Sequence, residues 1–170
     1  MGRWIWVDYL FVAALAGIVL IDLSFDLTVM QHGASDKQAL ADATNYYIHA
    51  KASPFLSLVI PLIIVVLGLG GLSRVFVYRS LSDVLHLIVL LLLAPLFILF
   101  VSPAQQKLAD NHASLSPQQV SELVSSIGQG HLAILGGCIF ALLLHASRFT
   151  VPSSSASSAS VTPKKTTKKN

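Results

Sequence analysis

The sequence predicts an all-α membrane protein, a bundle of four transmembrane helices, and three observations support this fold class. Hydrophobic residues make up 54% of the 170 residues, charged residues only 11%, and the mean hydropathy is +0.72. A soluble domain could not cover its core with so little charge. Four apolar segments are long enough to cross a bilayer, and most basic residues fall on one side of them.

The four predicted spans cover approximately residues 4–25, 54–72, 84–101 and 127–147. A helix needs about 20 mostly apolar residues to cross the hydrocarbon layer, where it satisfies its own backbone hydrogen bonds. The first segment lacks a cleavage site made of small residues, so we interpret it as a retained signal anchor. Pro61 and Pro95 lie inside the second and third spans, where proline kinks a helix.

Orientation follows from the basic residues near the span ends, because these residues stay on the cytosolic side. One side holds eight of them: Arg3, Arg74, Arg79, Arg148, Lys164, Lys165, Lys168 and Lys169. The other side holds three: Lys37, Lys51 and Lys107. An even number of spans then places both termini in the cytosol. Residues 1–150 form the predicted transmembrane domain, and the Ser- and Lys-rich residues 151–170 form a disordered cytosolic tail.

Both segments on the far, non-cytosolic side carry signals that start a helix. Ser35 and Gln38 fit a capping box, and the stretch from Asp36 to Ala50 contains neither glycine nor proline. Ser116 with Gln119 repeats the signal ahead of the fourth span. Each far-side segment is therefore predicted to form a short helix near the membrane surface.

Small residues recur in the predicted spans at spacings that let helix backbones approach closely. Six glycines mark the predicted packing faces: Gly17, Gly68, Gly70, Gly71, Gly136 and Gly137. Such faces serve either the internal packing of the bundle or the docking of another membrane protein. The sequence leaves both alternatives open.

Ionisable and aromatic residues collect toward the far side of the predicted bundle. Asp22 and Asp26 share one face of the first span, and a carboxylate at membrane depth is costly. Either the span ends there and both carboxylates reach water, or they contact a basic side chain on the same side. The candidate partners are Lys51, His49 and His131. Tyr46 and Tyr47 precede the second span, where tyrosine anchors a helix at the headgroups. The predicted interfacial polar cluster is Asp22, Asp26, Tyr46, Tyr47, His49 and His131.

The histidines also allow an alternative in which the protein binds haem instead of having no cofactor. His131 and His145 lie about four helical turns apart, so both face the same side near opposite membrane edges. This spacing resembles the paired haem ligands of b-type cytochromes. His86 opposite His145, and His49 opposite His131, would supply the second axial imidazoles of haem b. Against this alternative, His49 and His131 are predicted to lie at or outside the membrane edge.

Most other chemistry lacks a signature in this chain. The single cysteine, Cys138, excludes an intrachain disulfide and CxxC redox chemistry. The sequence contains no Gly-rich phosphate loop, nucleophile elbow or HExxH motif. Nothing therefore indicates a hydrolase or a nucleotide-using enzyme, and no metal site or nucleic-acid partner is predicted.

Three stretches carry a resemblance to a known family: Gly17 to Asp26, residues 39–56 (ALADATNYYIHAKASPFL) and residues 125–140 (SSIGQGHLAILGGCIF). Together with the four-span layout, they make the chain similar to the fungal endoplasmic-reticulum packaging chaperones for amino-acid permeases. That family has a glycine followed by an acidic residue in the first span, and a Tyr-Tyr pair before a second span that starts with proline. The resemblance implies a non-enzymatic chaperone that shields permease spans in the endoplasmic reticulum membrane until they pack.

A rival function comes from the enzymes. Small four-helix membrane oxygenases of the anthrone-oxidising type also lack metal motifs and carry scattered His, Asp and Tyr residues near one interface. On that alternative the site would comprise Asp22, Asp26, Tyr46, His49 and His131. The chaperone prediction instead expects the membrane and polytopic membrane-protein clients as partners, and expects no catalytic residues.

Overall fold

The computed structural model describes residues 3–78 and 81–146, apart from the side chains of a few residues within these ranges, and its regular elements there are all helical. Six α-helices follow one another: α1 Arg3–His32, α2 Lys37–Ala52, α3 Pro54–Tyr78, α4 Leu81–Leu96, α5 Ser102–Asn111 and α6 Pro117–Ala146. The predicted tail, residues 151–170, lies outside the described residues.

Three helical stretches among the described residues are long and apolar enough to cross a membrane: Tyr9–Ser35, Leu81–Ser114 and Pro117–Leu144. By length and composition, the chain is therefore a membrane protein. α3 contributes a shorter apolar stretch, Leu58–Ser73. The stretch Leu81–Ser114 includes all of α5, a helix that was not predicted from the sequence.

α1 extends beyond the first predicted span, because no glycine or proline lies between residue 25 and Gly33. Gly33 adopts a φ of +61°, in the left-handed region that glycine enters without steric penalty, and α1 ends just before it. Asp22 and Asp26 consequently lie inside the helix and not at its end. Both carboxylates are buried, so the alternative in which they reach water is not what the structure has.

α2 confirms the helix predicted between residues 36 and 50. The predicted capping residue is wrong, because Asp36 takes the N-cap position in place of Ser35. The Asp36 Oδ1 atom accepts a hydrogen bond from the Ala39 backbone N–H at 2.9 Å. The positive end of the helix dipole also stabilises a carboxylate in this position.

α6 begins with the capping box that the sequence predicts. The Ser116 backbone N–H donates to Gln119 Oε1 at 2.9 Å, and the Gln119 N–H donates to Ser116 Oγ at 3.3 Å. From there α6 continues without interruption to Ala146. The far-side start and the fourth predicted span are therefore one helix.

A π-helical turn, Phe97–Val101, connects α4 to α5 two residues after Pro95. Proline has no N–H to donate and crowds the preceding turn, so it disturbs the regular hydrogen-bond ladder at this point. The Ser102 N–H donates to the Phe97 carbonyl and closes the wider turn. The helix then runs on as α5 past Val101, where the third span was predicted to end.

The long helices form a bundle in which α1 lies beside α6, and α4 lies between α3 and α6. α1 packs extensively on α6 but only lightly on α3. At the end where α1 finishes and α6 begins, called here the far end, α2 and α5 pack against each other and against the bundle. Because α1 and α3 make few contacts, a space remains beneath α2 and α5, and a cavity lies there.

A candidate site at the far end of the bundle

Five polar side chains meet where α1, α2 and α6 converge. α1 contributes two carboxylates one turn apart, α2 contributes two adjacent tyrosines, and α6 contributes one imidazole. We call these residues the polar cluster: Asp22, Asp26, Tyr46, Tyr47 and His131. They are five of the six residues that the sequence singled out as an interfacial group, but the structure buries most of them.

Asp26 lies at the centre of the polar cluster and is fully buried. The Tyr47 hydroxyl donates to Asp26 Oδ1 at 2.5 Å, and His131 Nδ1 lies 2.7 Å from Asp26 Oδ2. A buried carboxylate is costly unless hydrogen bonds compensate for its lost hydration. Tyr47 and His131 supply that compensation, and in doing so they connect α1 to α2 and to α6.

Asp22 forms the second half of the polar cluster. Its Oδ1 atom accepts a hydrogen bond from the Tyr46 hydroxyl, and its Oδ2 atom lies 3.4 Å from His131 Nε2. The Tyr46 ring stacks on Phe25, with ring centroids 4.2 Å apart. One imidazole therefore lies between two carboxylates, and each carboxylate is also bonded to a tyrosine.

The tyrosines act as fixed donors to these carboxylates. Burial raises the pKa of the Tyr46 phenol, and the hydrogen bond to Asp22 raises it further. Burial and the nearby charge of Asp26 likewise raise the pKa of Tyr47. Both phenols therefore keep their protons across the physiological range, as donation to a carboxylate requires.

His131 Nε2 faces Asp22 Oδ2 at 3.4 Å, which is too distant for a good hydrogen bond. His131 Nδ1 donates to Asp26, so a neutral ring would turn the lone pair of Nε2 toward Asp22 Oδ2. The two carboxylates give the polar cluster a formal charge of −2, and one added proton, on the imidazole or on Asp22, would reduce it to −1.

Two glycines allow α6 to bring His131 into this position. A Cβ atom on Gly128 would lie 2.9 Å from Asp26 Cβ and 2.5 Å from Met30 Sδ. A Cβ atom on Gly130 would collide with the Val101 side chain. Neither glycine was among the packing residues predicted from the sequence. The signal that could have revealed them is the Gly-x-Gly-His sequence that ends at a buried histidine.

A cavity of about 320 Å³ adjoins the polar cluster, in the space that the light contact between α1 and α3 leaves open. Asp22, Tyr46 and Tyr47 line one part of it. The remaining wall contains the apolar side chains of Ile18, Ile60 and Phe97 and polar side chains from α5. A narrow apolar extension reaches from Asp22 toward His131. The polar cluster is thus connected to a space large enough for a small molecule.

Two predicted partners of the carboxylates lie elsewhere. His49 is exposed and lines a shallow depression on the other side of α2, together with Asp42. Lys51 forms an ion pair with Asp110, which connects α2 to α5 at the mouth of the cavity. Of the three candidate partners, only His131 contacts Asp22 and Asp26.

The haem ligands predicted from the sequence are not brought together as pairs by the described residues. His131 is buried with a carboxylate at each ring nitrogen, whereas His49 is exposed. His86 is buried on α4, and the side chain of His145 lies outside the described residues. Axial ligation by His131 would have to replace one of its contacts to Asp22 or Asp26. Within residues 3–78 and 81–146, no group of three or more His, Cys, Asp or Glu side chains has the arrangement of a metal site.

Five of the six predicted packing glycines fall into two groups. Gly71 and Gly137 face the interior, where an added Cβ would approach Leu87 at 3.1 Å and Leu93 at 2.6 Å respectively. Three others face open space, with no atom within 4 Å of an added Cβ: Gly17, Gly68 and Gly136. Gly70 lies on α3, where its carbonyl accepts a hydrogen bond from Ser73.

The polar cluster can serve two kinds of role. It can hold three helices in one register, or it can present a proton-transfer group to the adjacent cavity. The open glycines are a further feature, because they offer positions for close helix packing that no neighbouring helix of the described chain occupies.

Comparison of the chain with protein-family models, with curated proteins and with solved structures finds no match in any of the three.

Proposed function

We propose that the protein is a four-span membrane protein of the endoplasmic reticulum, with both termini in the cytosol and a disordered tail after residue 150. The fourth span would be α3, whose apolar stretch Leu58–Ser73 packs beside α4. The excess of Lys and Arg on one side of the spans supports the orientation. The location in the endoplasmic reticulum depends on the family resemblance in the first, second and fourth spans.

We further propose that it acts as a non-enzymatic chaperone or assembly factor for polytopic membrane proteins such as amino-acid permeases. The observation that carries this proposal is the set of open glycines on three different helices: Gly17 on α1, Gly68 on α3 and Gly136 on α6. In a bilayer, small residues stabilise contacts between helices because they let the backbones approach closely. Open glycines are therefore positions where helices of a client can pack.

The polar cluster supports this role because it holds three helices of the protein together. A chaperone for membrane spans has to keep its own helices together while its outer faces exchange partners. Asp26 joins α1 to α2 through Tyr47 and joins α1 to α6 through His131. These contacts are buried at the far end, away from the outer glycine faces, so a client would not compete for them.

A substitution on α6 tests the chaperone proposal. Gly136→Leu fills an open packing position, at which an added Cβ has no atom of a neighbouring element within 4 Å. We expect it to reduce recovery of a co-expressed, tagged amino-acid permease about tenfold, which corresponds to a loss of about 1.4 kcal/mol of packing free energy. The recovery is measured by cross-linking in intact membranes followed by affinity purification and quantitative immunoblotting.

The matched control is Ile139→Leu, which exchanges one exposed apolar side chain for another on the same helix. The control should recover the permease as well as the wild-type protein does. Equal recovery by wild type, Gly136→Leu and a triple variant that also carries Gly17→Leu and Gly68→Leu would contradict the proposal.

The second candidate function is a small membrane enzyme, a cofactor-independent oxygenase or a redox protein with haem b. The observation that favours it is the His131 ring, held by Asp26 and close to a cavity that can admit a small molecule. An Asp–His pair of this kind can accept a proton from a bound substrate. Oxygen consumption with a hydrophobic phenol would identify the oxygenase, provided that His131→Gln abolishes it. A Soret band in the purified protein would identify the haem protein.

A further inference from the structure

The cavity beside the polar cluster has one strongly polar corner and a largely apolar wall. Asp22, Tyr46 and Tyr47 form the corner. Ile18, Ile60 and Phe97 form the wall, and the narrow extension toward His131 adds more aliphatic side chains. Such a division suits a molecule with a polar head and an apolar body, and a volume of about 320 Å³ limits it to a small one.

The charge around this cavity is negative. The polar cluster carries a formal charge of −2, or −1 with one added proton. Lys51 is the one basic side chain at the cavity wall besides His131, among the residues that the structure describes there, and it is paired with Asp110. The electrostatics therefore favour a cation over a neutral or an anionic ligand.

A second observation, independent of the charge, also indicates a ligand. His131 Nε2 is buried and has no hydrogen-bond partner, because Asp22 Oδ2, at 3.4 Å, is too distant for a good bond. A buried polar atom without a partner normally indicates a missing water, ion or ligand. This atom belongs to a side chain that lines the narrow extension of the cavity next to Asp22.

We propose that the cavity binds a small amphipathic amine, with its ammonium group at Asp22 and its apolar body against Ile18, Ile60 and Phe97. The ammonium group donates to Asp22 and thereby balances the charge of the polar cluster. The site does not depend on the chaperone role, and it would give the protein a ligand by which that role or an enzymatic one could be controlled.

Calorimetric titration of the full-length protein in lipid nanodiscs tests this proposal with three matched probes. The probes are 4-phenylbutylamine, 4-phenylbutanol and 4-phenylbutyrate, which share one apolar body and differ in the charge of the head. Empty nanodiscs provide the correction for partition into lipid. We expect saturable binding of the amine, binding of the alcohol weaker by about tenfold or more, and no binding of the carboxylate.

Two variants assign the binding to this cavity. Asp22→Asn should weaken amine binding about tenfold or more, whereas Asp42→Asn, on the exposed face of α2, should leave it unchanged. If Asp22→Asn does not fold, Ile60→Trp decides, because it fills the cavity without altering the polar cluster. Equal affinity for the amine and the alcohol, or amine binding that persists in the folded variant, would overturn the proposal. So would the absence of saturable amine binding to the wild-type protein.

Discussion

Asp26→Ala is expected to lower the free energy of unfolding by about 3–5 kcal/mol, because it removes the shared acceptor of two buried donors. The Tyr47 hydroxyl and His131 Nδ1 would both remain buried without their partner. A loss of this size is a large part of the total stability of a typical domain. Denaturant unfolding of the detergent-solubilised protein, followed by circular dichroism, measures the loss.

The control for this variant is Asp42→Ala, also a loss of one carboxylate. Asp42 is exposed on α2 and, among the described residues, accepts a hydrogen bond from the Gln38 side chain, so its removal should change stability by less than about 0.5 kcal/mol. If Asp26→Ala prevents folding, the isosteric Asp26→Asn should give a measurable, smaller loss. A stability unchanged within about 0.5 kcal/mol in both Asp26 variants would contradict the central position of Asp26.

The same substitution at two glycines of α6 is expected to change stability in opposite directions. Gly128→Ala should destabilise the protein by about 1–3 kcal/mol, because its Cβ would lie 2.9 Å from Asp26 Cβ. Met30 can move its flexible end away, but the Cβ atom of Asp26 moves only with α1. The variant would therefore separate α1 from α6 at the polar cluster.

Gly136→Ala provides the comparison, since no atom lies within 4 Å of the added methyl group. It should stabilise the helix by up to about 1 kcal/mol, because alanine loses less backbone entropy than glycine on forming a helix. Thermal unfolding of both variants in the same detergent measures the difference. Shifts of the same sign at the two positions would show that α6 does not approach α1 closely at Gly128.

The helical fold could be predicted because it depends on local signals. A low fraction of charged residues, long apolar segments and the capping pattern at Ser116 each act within one stretch of chain, and all three are reflected in the helices. The two errors in the predicted helices also arose from local signals. Asp36 and Ser35 are neighbours that both suit an N-cap, and the sequence pattern could not decide between them. α5 was missed because its polar residues resemble a loop.

The site could be predicted only as a set of candidates. Asp22, Asp26, Tyr46, Tyr47 and His131 were recognisable as costly or amphipathic residues toward one side of the bundle. Which of them touch depends on how α2 folds over the ends of the long helices, and no local pattern determines that.

His49 and Lys51 illustrate this limit. Both lie on α2 within a few residues of the two tyrosines, and both were reasonable partners for the carboxylates. The orientation of α2 about its axis buries Tyr47 in the bundle and leaves His49 exposed. Lys51 forms an ion pair with Asp110 on α5, a helix that was not predicted. The cavity could not be foreseen either, since it arises from the loose contact between α1 and α3.

A buried hydrogen bond from Tyr47 to Asp26 joins α2 to α1, and a double-mutant cycle measures how strongly the two side chains are coupled. The unfolding free energies of wild type, Tyr47→Phe, Asp26→Asn and the double variant give the coupling energy between the two side chains. The structure predicts a coupling of about 1 kcal/mol or more, whereas Tyr47→Phe combined with Asp42→Asn should be additive within about 0.5 kcal/mol. Additivity of Tyr47→Phe and Asp26→Asn within the same margin would contradict the hydrogen bond between these two side chains.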